Sequence, residues 1–514
     1  MRALSCGLIT ALAACTGASN DAVDTSDWPS AALSADNAVT VDPQQFLSAA
    51  QLQNWQVDLD HRGLRATGTT AHENYIDALY QRLAAAGVKQ LSFEAVPLMR
   101  WAVDSWSLDI VGGASAGAVA TAAYIPYAGV TPANGVTAPL VYLSSKTTPS
   151  SSNAGGKIVL FDVPLSSVKI AEFELLAMRT YDPKLTLSPL DTYARSYLGI
   201  GSVTTLLDQL QAAGAVGAIG VIAAPAATAH GTYFPYDRKL RQVPSLFVDQ
   251  TAGALLKQVA DGGTHVRLTL PAEVKQVQTR NLIGIIPGAS DELTVINSHT
   301  DGTNGIEDNG PNAIVAMSQY LTRLPQQALP RSIMILLSSG HFAGGIGAET
   351  FLANHGSDGL LNRIASIITI EHLGAQEWLP DANGLLAPTG KPEPGAFFMP
   401  KIQALVDASY AMLKNADAAP AFVLPPLNSK GDGSADDAVW PGEGQYFWGE
   451  GNIPTANYIT GPAYLLNWGV TTADKVDYDR MRREAIAFTQ MQLDLSRVPA
   501  SDLHKLSAFI LPLP

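Results

Sequence analysis

The chain is 514 residues long, with 32 Lys+Arg against 46 Asp+Glu and a net charge of −14. So acidic a balance argues against a nucleic-acid binder, which would present a basic face. Only 15% of residues are charged while 47% are hydrophobic, so the chain can bury a sizeable core, and disorder is excluded for most of its length. Forty-four glycines and 32 prolines point to a loop-rich α/β or β-containing chain of several domains and exclude a coiled coil.

The start, Met1-Arg2 followed by an apolar stretch from Ala3 to Ala14, has the shape of a short export signal and is too short to span a bilayer. Leu12-Ala13-Ala14-Cys15 resembles a bacterial lipobox, in which cleavage before the Cys leaves it N-terminal and acylated. Residues 1–15 are therefore expected to be a lipoprotein signal, with Cys15 the lipidation site and Cys6 lost with the signal. No cysteine is then left for an intramolecular disulfide. The expected location is the cell envelope, held to a membrane by lipid and facing the periplasm or exterior, with simple secretion as the alternative. Residues 16–42, rich in Ser, Ala, Asp and Asn, read as a flexible tether.

From Pro43 to Gly87 apolar residues recur at helical spacing (Leu52, Trp55, Leu59; Tyr75, Leu79, Leu83), around the glycine-punctuated turn 63–69. Short alternating segments follow at 90–97, 105–111, 118–125, 140–143 and 157–161, the density of a β-rich module. A helix from Val203, a glycine cap at Gly214 and a buried strand 216–223 explain the uncharged run Gln211 to Ala229 better than a membrane span does. Strand 243–248, helix 252–260 and strand 266–270 close the module. Strands and helices then alternate (281–286, 293–297, 312–324, 332–338, 348–355, 364–370), as in a sheet covered on both faces. Residues 380–400 and 420–451 read as long surface loops, and Asp477 to Leu495 as a last helix.

The densest polar cluster is Asn297-Ser298-His299-Thr300-Asp301-Gly302, followed by Gly305-Ile306-Glu307-Asp308-Asn309-Gly310. A buried strand ending in His-x-Asp places His299 at a sheet's carboxyl edge, where open α/β sheets hold their sites. Asp301, two residues on, is expected to hydrogen-bond the imidazole and raise its basicity, while Asp308 supplies an anionic ligand. Later strands end in Gly340-His341 and Glu371-His372. Three strands delivering His and carboxylate to their ends make a metal-site signature.

Here the chain resembles metallopeptidase family twenty-eight, the secreted zinc aminopeptidases and glutamate-carboxypeptidase-like enzymes. The likeness lies in Asn281-Leu282-Ile283-Gly284-Ile285-Ile286-Pro287-Gly288, His299-Thr300-Asp301 and Asp308-Asn309-Gly310. The stretches Gly156-Lys157-Ile158-Val159-Leu160, Ala212-Ala213-Gly214-Ala215-Val216-Gly217 and Val243-Pro244-Ser245-Leu246 resemble the protease-associated domain inserted in such enzymes. The resemblance implies a mostly parallel mixed sheet sandwiched by helices, with the β-rich module inserted. The implied boundaries are 43–125 and 275–514 for the peptidase-like domain and 126–274 for the module.

Two departures matter. The family's Glu-Glu pair, one base and one zinc ligand, falls on His341-Phe342, and its last His ligand falls in Gly461 to Asn467, which contains none. What carries over is zinc, one ion rather than two, on His299, Asp308 and Glu371, with His341 as general base and Asp301 orienting His299. His372 and Glu443 are further candidates to complete the shell or bind substrate. The expected activity is hydrolysis of a peptide or small amide by an aminopeptidase or carboxypeptidase. The alternatives are a member acting on another amide or ester, or one that binds without cleaving. A competing serine-nucleophile motif, Gly113-Ala114-Ser115-Ala116-Gly117, requires a helix after it, and residues 118–125 read as a strand.

Overall fold

The computed structural model describes residues 23–260, 262–431 and 433–512, so Cys6, Cys15 and the signal lie outside the described residues. The architecture is the expected α/β one, a mixed sheet between helices with a β-rich module inserted in the chain.

Strand Leu293–His299 is buried at every position, and so is Ile364–Ile370. Such unbroken apolar runs suit parallel strands covered on both faces. Alternation then divides the side chains: Val295 packs with Met334, Phe351 and Phe447 on one face, and Ile296 with Ile335 and Ile314 on the other. Ser332–Ser338, Leu293–His299, Ile364–Ile370 and Thr455–Thr460 lie side by side and parallel. Five further strands complete a nine-stranded sheet. On the first side these are Glu273–Ile286 and then Lys89–Ala102; on the other Gly395–Phe398, Ala421–Leu424 and Arg179–Tyr181. The helix Gly310–Leu321 is buried throughout, and Tyr478–Leu495 packs against it, its N-terminus capped by the Asp477 carboxylate.

Lys89–Ala102 and Glu273–Ile286 pair antiparallel from Ser92↔Ile283 to Ala102↔Glu273 and lead the chain into and out of the inserted module. An eight-stranded sheet forms that module, with helices Ile200–Ala212 and Gln250–Ala260 packed on it. Ser107–Val111, Gly117–Ala118 and Ala123–Tyr124 belong to this sheet, so the module begins near residue 105 and not at 126. An excursion, 166–199, leaves the module and adds Arg179–Tyr181 to the edge of the large sheet. After Ser115 the chain makes a two-residue strand and no helix, which removes the serine-nucleophile reading. Among the described residues no helix is long and apolar enough to cross a membrane.

Three expectations need correction. Residues 380–400 and 420–451 are not all loop: Gly395–Phe398 and Ala421–Leu424 are strands of the large sheet, although Pro and Gly flank them. The helix Gln403–Ala416 and the strand Thr455–Thr460 were not anticipated. Within the expected tether, residues 23–42 are packed. Trp28 is buried edge-on against Trp55, Leu33 N–H donates to the Arg323 carbonyl, and Val41 N–H donates to Gln490. A few large apolar residues suffice to dock a polar segment when its backbone donors find partners. Trp28→Ala is expected to lower unfolding free energy by about 3 kcal/mol, read as a lower urea midpoint at unchanged slope; an unchanged midpoint would mean that the segment is not part of the folded body.

Candidate metal centre

Register builds the centre. Asn297 pairs with Thr369 across two parallel strands, so two residues on, where both strands end, His299 stands level with Glu371. His299 Nε2 lies 3.5 Å from Glu371 Oε2. The next residue, His372, has φ +59°, a left-handed conformation that a branched or bulky residue rarely adopts, and it turns the imidazole toward the same point. His372 Nε2 is 3.7 Å from Glu371 Oε2 and 3.3 Å from Glu307 Oε2.

Both imidazoles are oriented by backbone carbonyls. His299 Nδ1 meets the Asp301 carbonyl at 2.8 Å, and His372 Nδ1 meets the Thr460 carbonyl at 2.7 Å. With Nδ1–H donating outward, Nε2 is left facing inward. Glu371 Oε1 accepts from the Glu443 N–H at 2.9 Å and from Asn457 Nδ2 at 3.0 Å, leaving Oε2 inward. The four inward atoms, Nε2 of His299 and His372 and Oε2 of Glu307 and Glu371, are all buried without a hydrogen-bond partner. Ligand atoms of His299, Glu371 and His372 lie within 4.8 Å of one another, as do those of His299, Glu307 and His341. Two imidazoles and two carboxylates form a donor set that suits zinc.

Of the residues expected to be ligands, His299 and Glu371 are brought together and Asp308 is not. Both Asp308 oxygens are held by the buried Arg65 guanidinium, Oδ2 by Nε at 2.7 Å and Oδ1 by Nη2 at 2.5 Å. Glu307 faces the centre in its place. Two adjacent carboxylates in a turn point in different directions, and the partner that selects between them is 243 residues away in sequence. Sequence spacing carries no sign of that choice.

Asp301 orients His299 through its backbone carbonyl and not through its carboxylate. Its carboxylate does not touch His299; it accepts from the N–H groups of Gly340 at 3.0 Å, His341 at 3.1 Å and Phe342 at 2.9 Å, and from the Thr67 hydroxyl at 2.5 Å. It thereby fixes the short turn His341–Ala343, which Gly340 enters at φ +85°. His341 stacks on His299 with ring centroids 4.4 Å apart, and its Nδ1 lies 3.1 Å from Glu443 Oε2. Glu443, buried in the glycine-rich loop before Gln445–Gly449, takes the Ser338 hydroxyl on its other oxygen at 2.7 Å. Glu443 thus links His341 to Glu371.

Phe342 is buried among Tyr233 and Tyr236, both from the inserted module, at centroid distances of 5.4 and 5.1 Å. The stretch Gly461 to Asn467 supplies structural contacts and no ligand: Asn304 Nδ2 donates to the carbonyls of Tyr464, Leu465 and Asn467.

Burial works against a charged His299, but the adjacent Glu371, with Glu307 and Asp301, outweighs it and holds the imidazole up at about 10. Burial likewise opposes ionisation of Glu371, and His299, His372 and His341 overcome it and bring the carboxyl down to about 2. His372 is raised: burial opposes its charge, and Glu307 and Glu371 prevail.

No family model matches the chain, and no curated protein matches it. Solved structures do match. A peptidase M28 precursor from Shewanella amazonensis SB2B superposes with a TM-score of 0.61 at 16% identity, covering 93% of this chain and 97% of that one. A zinc aminopeptidase from Bacillus subtilis gives 0.58 at 14% identity over 88% and 97% of the two chains. An aminopeptidase from Aneurinibacillus sp. strain AM-1 gives 0.56 at 14% over 89% and 95%. The fold is therefore that of zinc exopeptidases.

The paired charges set a pH dependence for the metal-free protein. A His raised from 6.5 to about 10 contributes stability that is complete below pH 6.5 and lost as pH rises through about 10. A Glu lowered from 4.5 to about 2 contributes stability that is complete above pH 4.5 and lost as pH falls through about 2. The thermal midpoint of chelator-treated protein is expected to fall between about pH 7 and 10, and to fall less in His299→Gln; parallel profiles would remove the pair as the cause.

Proposed function

We propose that the chain is a metal-dependent hydrolase of the exopeptidase type, acting on a peptide or related amide bond. The observation that carries this reading is that four ligand atoms are buried without a hydrogen-bond partner, three of them, on His299, Glu371 and His372, belonging to residues whose ligand atoms lie within 4.8 Å of one another. His299, Glu307, Glu371 and His372 would hold zinc, and the bound ion would supply Lewis acidity and a water acidified toward neutral pH. The fold shared with zinc aminopeptidases supports the same reading.

The residues of this chain then divide the remaining work. His341, oriented by Glu443, lies beside His299 where a general base can take a proton from water and return it to the leaving amine. Asp301 is a positioning residue: by collecting three N–H groups of the His341 turn it holds that imidazole against the site. The module's Tyr236, 5.5 Å from His341, narrows the approach and limits water around it. One ion is favoured over two because Phe342 stands where a second ion's carboxylate would be needed, enclosed by aromatic rings.

The reading includes an inserted domain of the protease-associated kind, supported by the sequence likenesses at Gly156, Ala212 and Val243. It also includes action outside the cytoplasm on a lipid anchor, supported by the Met1 to Cys15 pattern.

Protein lacking residues 1–15 is expected to carry about one zinc per chain by plasma emission, lost in His299→Ala and His372→Ala. A panel of aminoacyl and N-blocked carboxyl-terminal amides should show turnover that a chelator abolishes. His341→Ala should keep the metal and lose about 10²–10⁴ in kcat. Absence of metal, or turnover that survives chelation, would overturn the reading; two ions per chain would overturn the one-ion assignment. Labelled fatty acid should enter the full chain and not Cys15→Ala; equal labelling of the two would remove the anchor.

A further inference from the structure

Away from the metal centre, a cavity of about 550 Å³ opens between the 166–199 excursion, the hairpin Gln376–Pro380 with Leu386–Pro392, and the start of helix Tyr478–Leu495. That volume suits a small molecule. Five cationic side chains line it: Lys184, Arg195, Lys391, Arg480 and Arg483.

Arg480 distinguishes this cavity from an ordinary surface cleft. It is only 3% exposed, its Nε donates to Glu484 at 2.8 Å, and both Nη atoms are buried with no hydrogen-bond partner. A buried guanidinium with unused donors is costly unless an acceptor reaches it. Its planar fork matches an oxyanion held by two parallel N–H bonds. Among the described residues, Arg483 donates through Nε to the Ala416 carbonyl, and Lys184 and Lys391 form no ion pair. Arg195 is already paired with Glu393 at 2.7 Å.

Four acids also line the cavity, and each has partners of its own, Glu377 including Arg195 of the same wall at 3.8 Å. Asp477 caps the helix through the Arg480 N–H, Asp191 accepts from Ser188 N–H, Asp417 from the Tyr181 hydroxyl, and Glu377 from the Thr389 hydroxyl. Ile170, Leu187, Leu379 and Pro394 supply apolar wall, with Thr192, Tyr193 and Gln376 among the polar residues beside them. The unused donors of Arg480, beside the apolar side chains of Ile170, Leu187 and Leu379, suit an amphiphilic anion.

We propose that this cavity binds a small organic anion, its carboxylate or phosphate group on Arg480 and its apolar body against Ile170, Leu187 and Leu379. The site is independent of the metal reading, since it shares no residue with the centre. It nevertheless touches the same scaffold. Arg195 Nε donates to the Gly461 carbonyl at 2.9 Å, and the preceding carbonyl, that of Thr460, orients His372.

The test is calorimetric titration of the protein lacking residues 1–15 with sodium hexanoate, sodium phosphate and hexanol at constant ionic strength. Hexanoate is expected to bind saturably to wild type and equally to His299→Ala, about tenfold more weakly to Arg483→Gln, and not to Arg480→Gln. Phosphate binding tighter than hexanoate, with the same dependence on both arginines, would support the site and assign it to phosphate-bearing ligands. Should Arg480→Gln fail to fold, Arg480→Lys, which keeps the charge and loses the fork, is expected to weaken binding by about tenfold as well. No saturable binding of either anion, equal binding of hexanol, loss in His299→Ala, or retention in both arginine variants would each overturn the proposal.

Discussion

Four ligand atoms buried together without hydrogen bonds are the constraint on which the rest of this structure turns. Each such group forfeits about 1–3 kcal/mol relative to a satisfied one, and two carboxylates facing each other add repulsion. Three of the four are held in place through their other atom: Nδ1 of both imidazoles by a carbonyl, and Oε1 of Glu371 by Glu443 N–H and Asn457. Without a cation His299 and Glu371 stabilise each other's charged forms, the imidazole raised and the carboxyl lowered. A divalent ion among His299, Glu371 and His372, whose ligand atoms lie within 4.8 Å of one another, would satisfy three of these atoms at once.

The elements around the centre are arranged to keep those atoms in place. Gly310 opens the buried helix so close to the neighbouring strand that a Cβ would lie 2.0 Å from the Ile370 carbonyl, so the turn 302–309 is pressed onto the strand that carries Glu371. Arg65 holds the other side of that turn, bonding the Asn304 carbonyl at 2.7 Å as well as both oxygens of Asp308. Glu307 is thus placed by its neighbour's ion pair. Buried and bidentate, the Arg65–Asp308 pair contributes geometry more than net stability.

Much of this was legible in sequence, and what was not has a physical reason. Strands that end in His-x-Asp and Glu-His announce themselves because a buried apolar run must stop where its polar residues begin, so His299, Glu371 and His341 stand out. The choice of Glu307 over Asp308 depends on a guanidinium distant in sequence, and the role of Asp301 depends on a turn built by another strand. Neither leaves a local pattern. His372 could be named beside Glu371 as a candidate to complete the shell or bind substrate, but its inward turn rests on a backbone conformation that only coordinates reveal. The strands Gly395–Phe398 and Ala421–Leu424 are four residues each, too short for alternation to outweigh flanking Pro and Gly.

Phe342 gives the deepest link between the inserted module and the centre. Its ring lies 6.4 Å from that of His299 and is boxed by Tyr233 and Tyr236, and Tyr233 in turn meets Tyr124 of the module's own sheet. A carboxylate at this position would enter an aromatic box with no cation to receive it, a costly burial of charge. The segment Gly461 to Asn467 is equally committed: Asn467 donates to the carbonyls of Thr228 and His230, and Tyr233 N–H returns to the Leu466 carbonyl. The contacts that dock the module therefore run through both the 341–344 turn, which carries His341, and the 461–467 segment, which follows the Thr460 carbonyl that orients His372. Displacing the module would loosen both imidazoles, so its docking and the geometry of the centre stand on the same set of contacts.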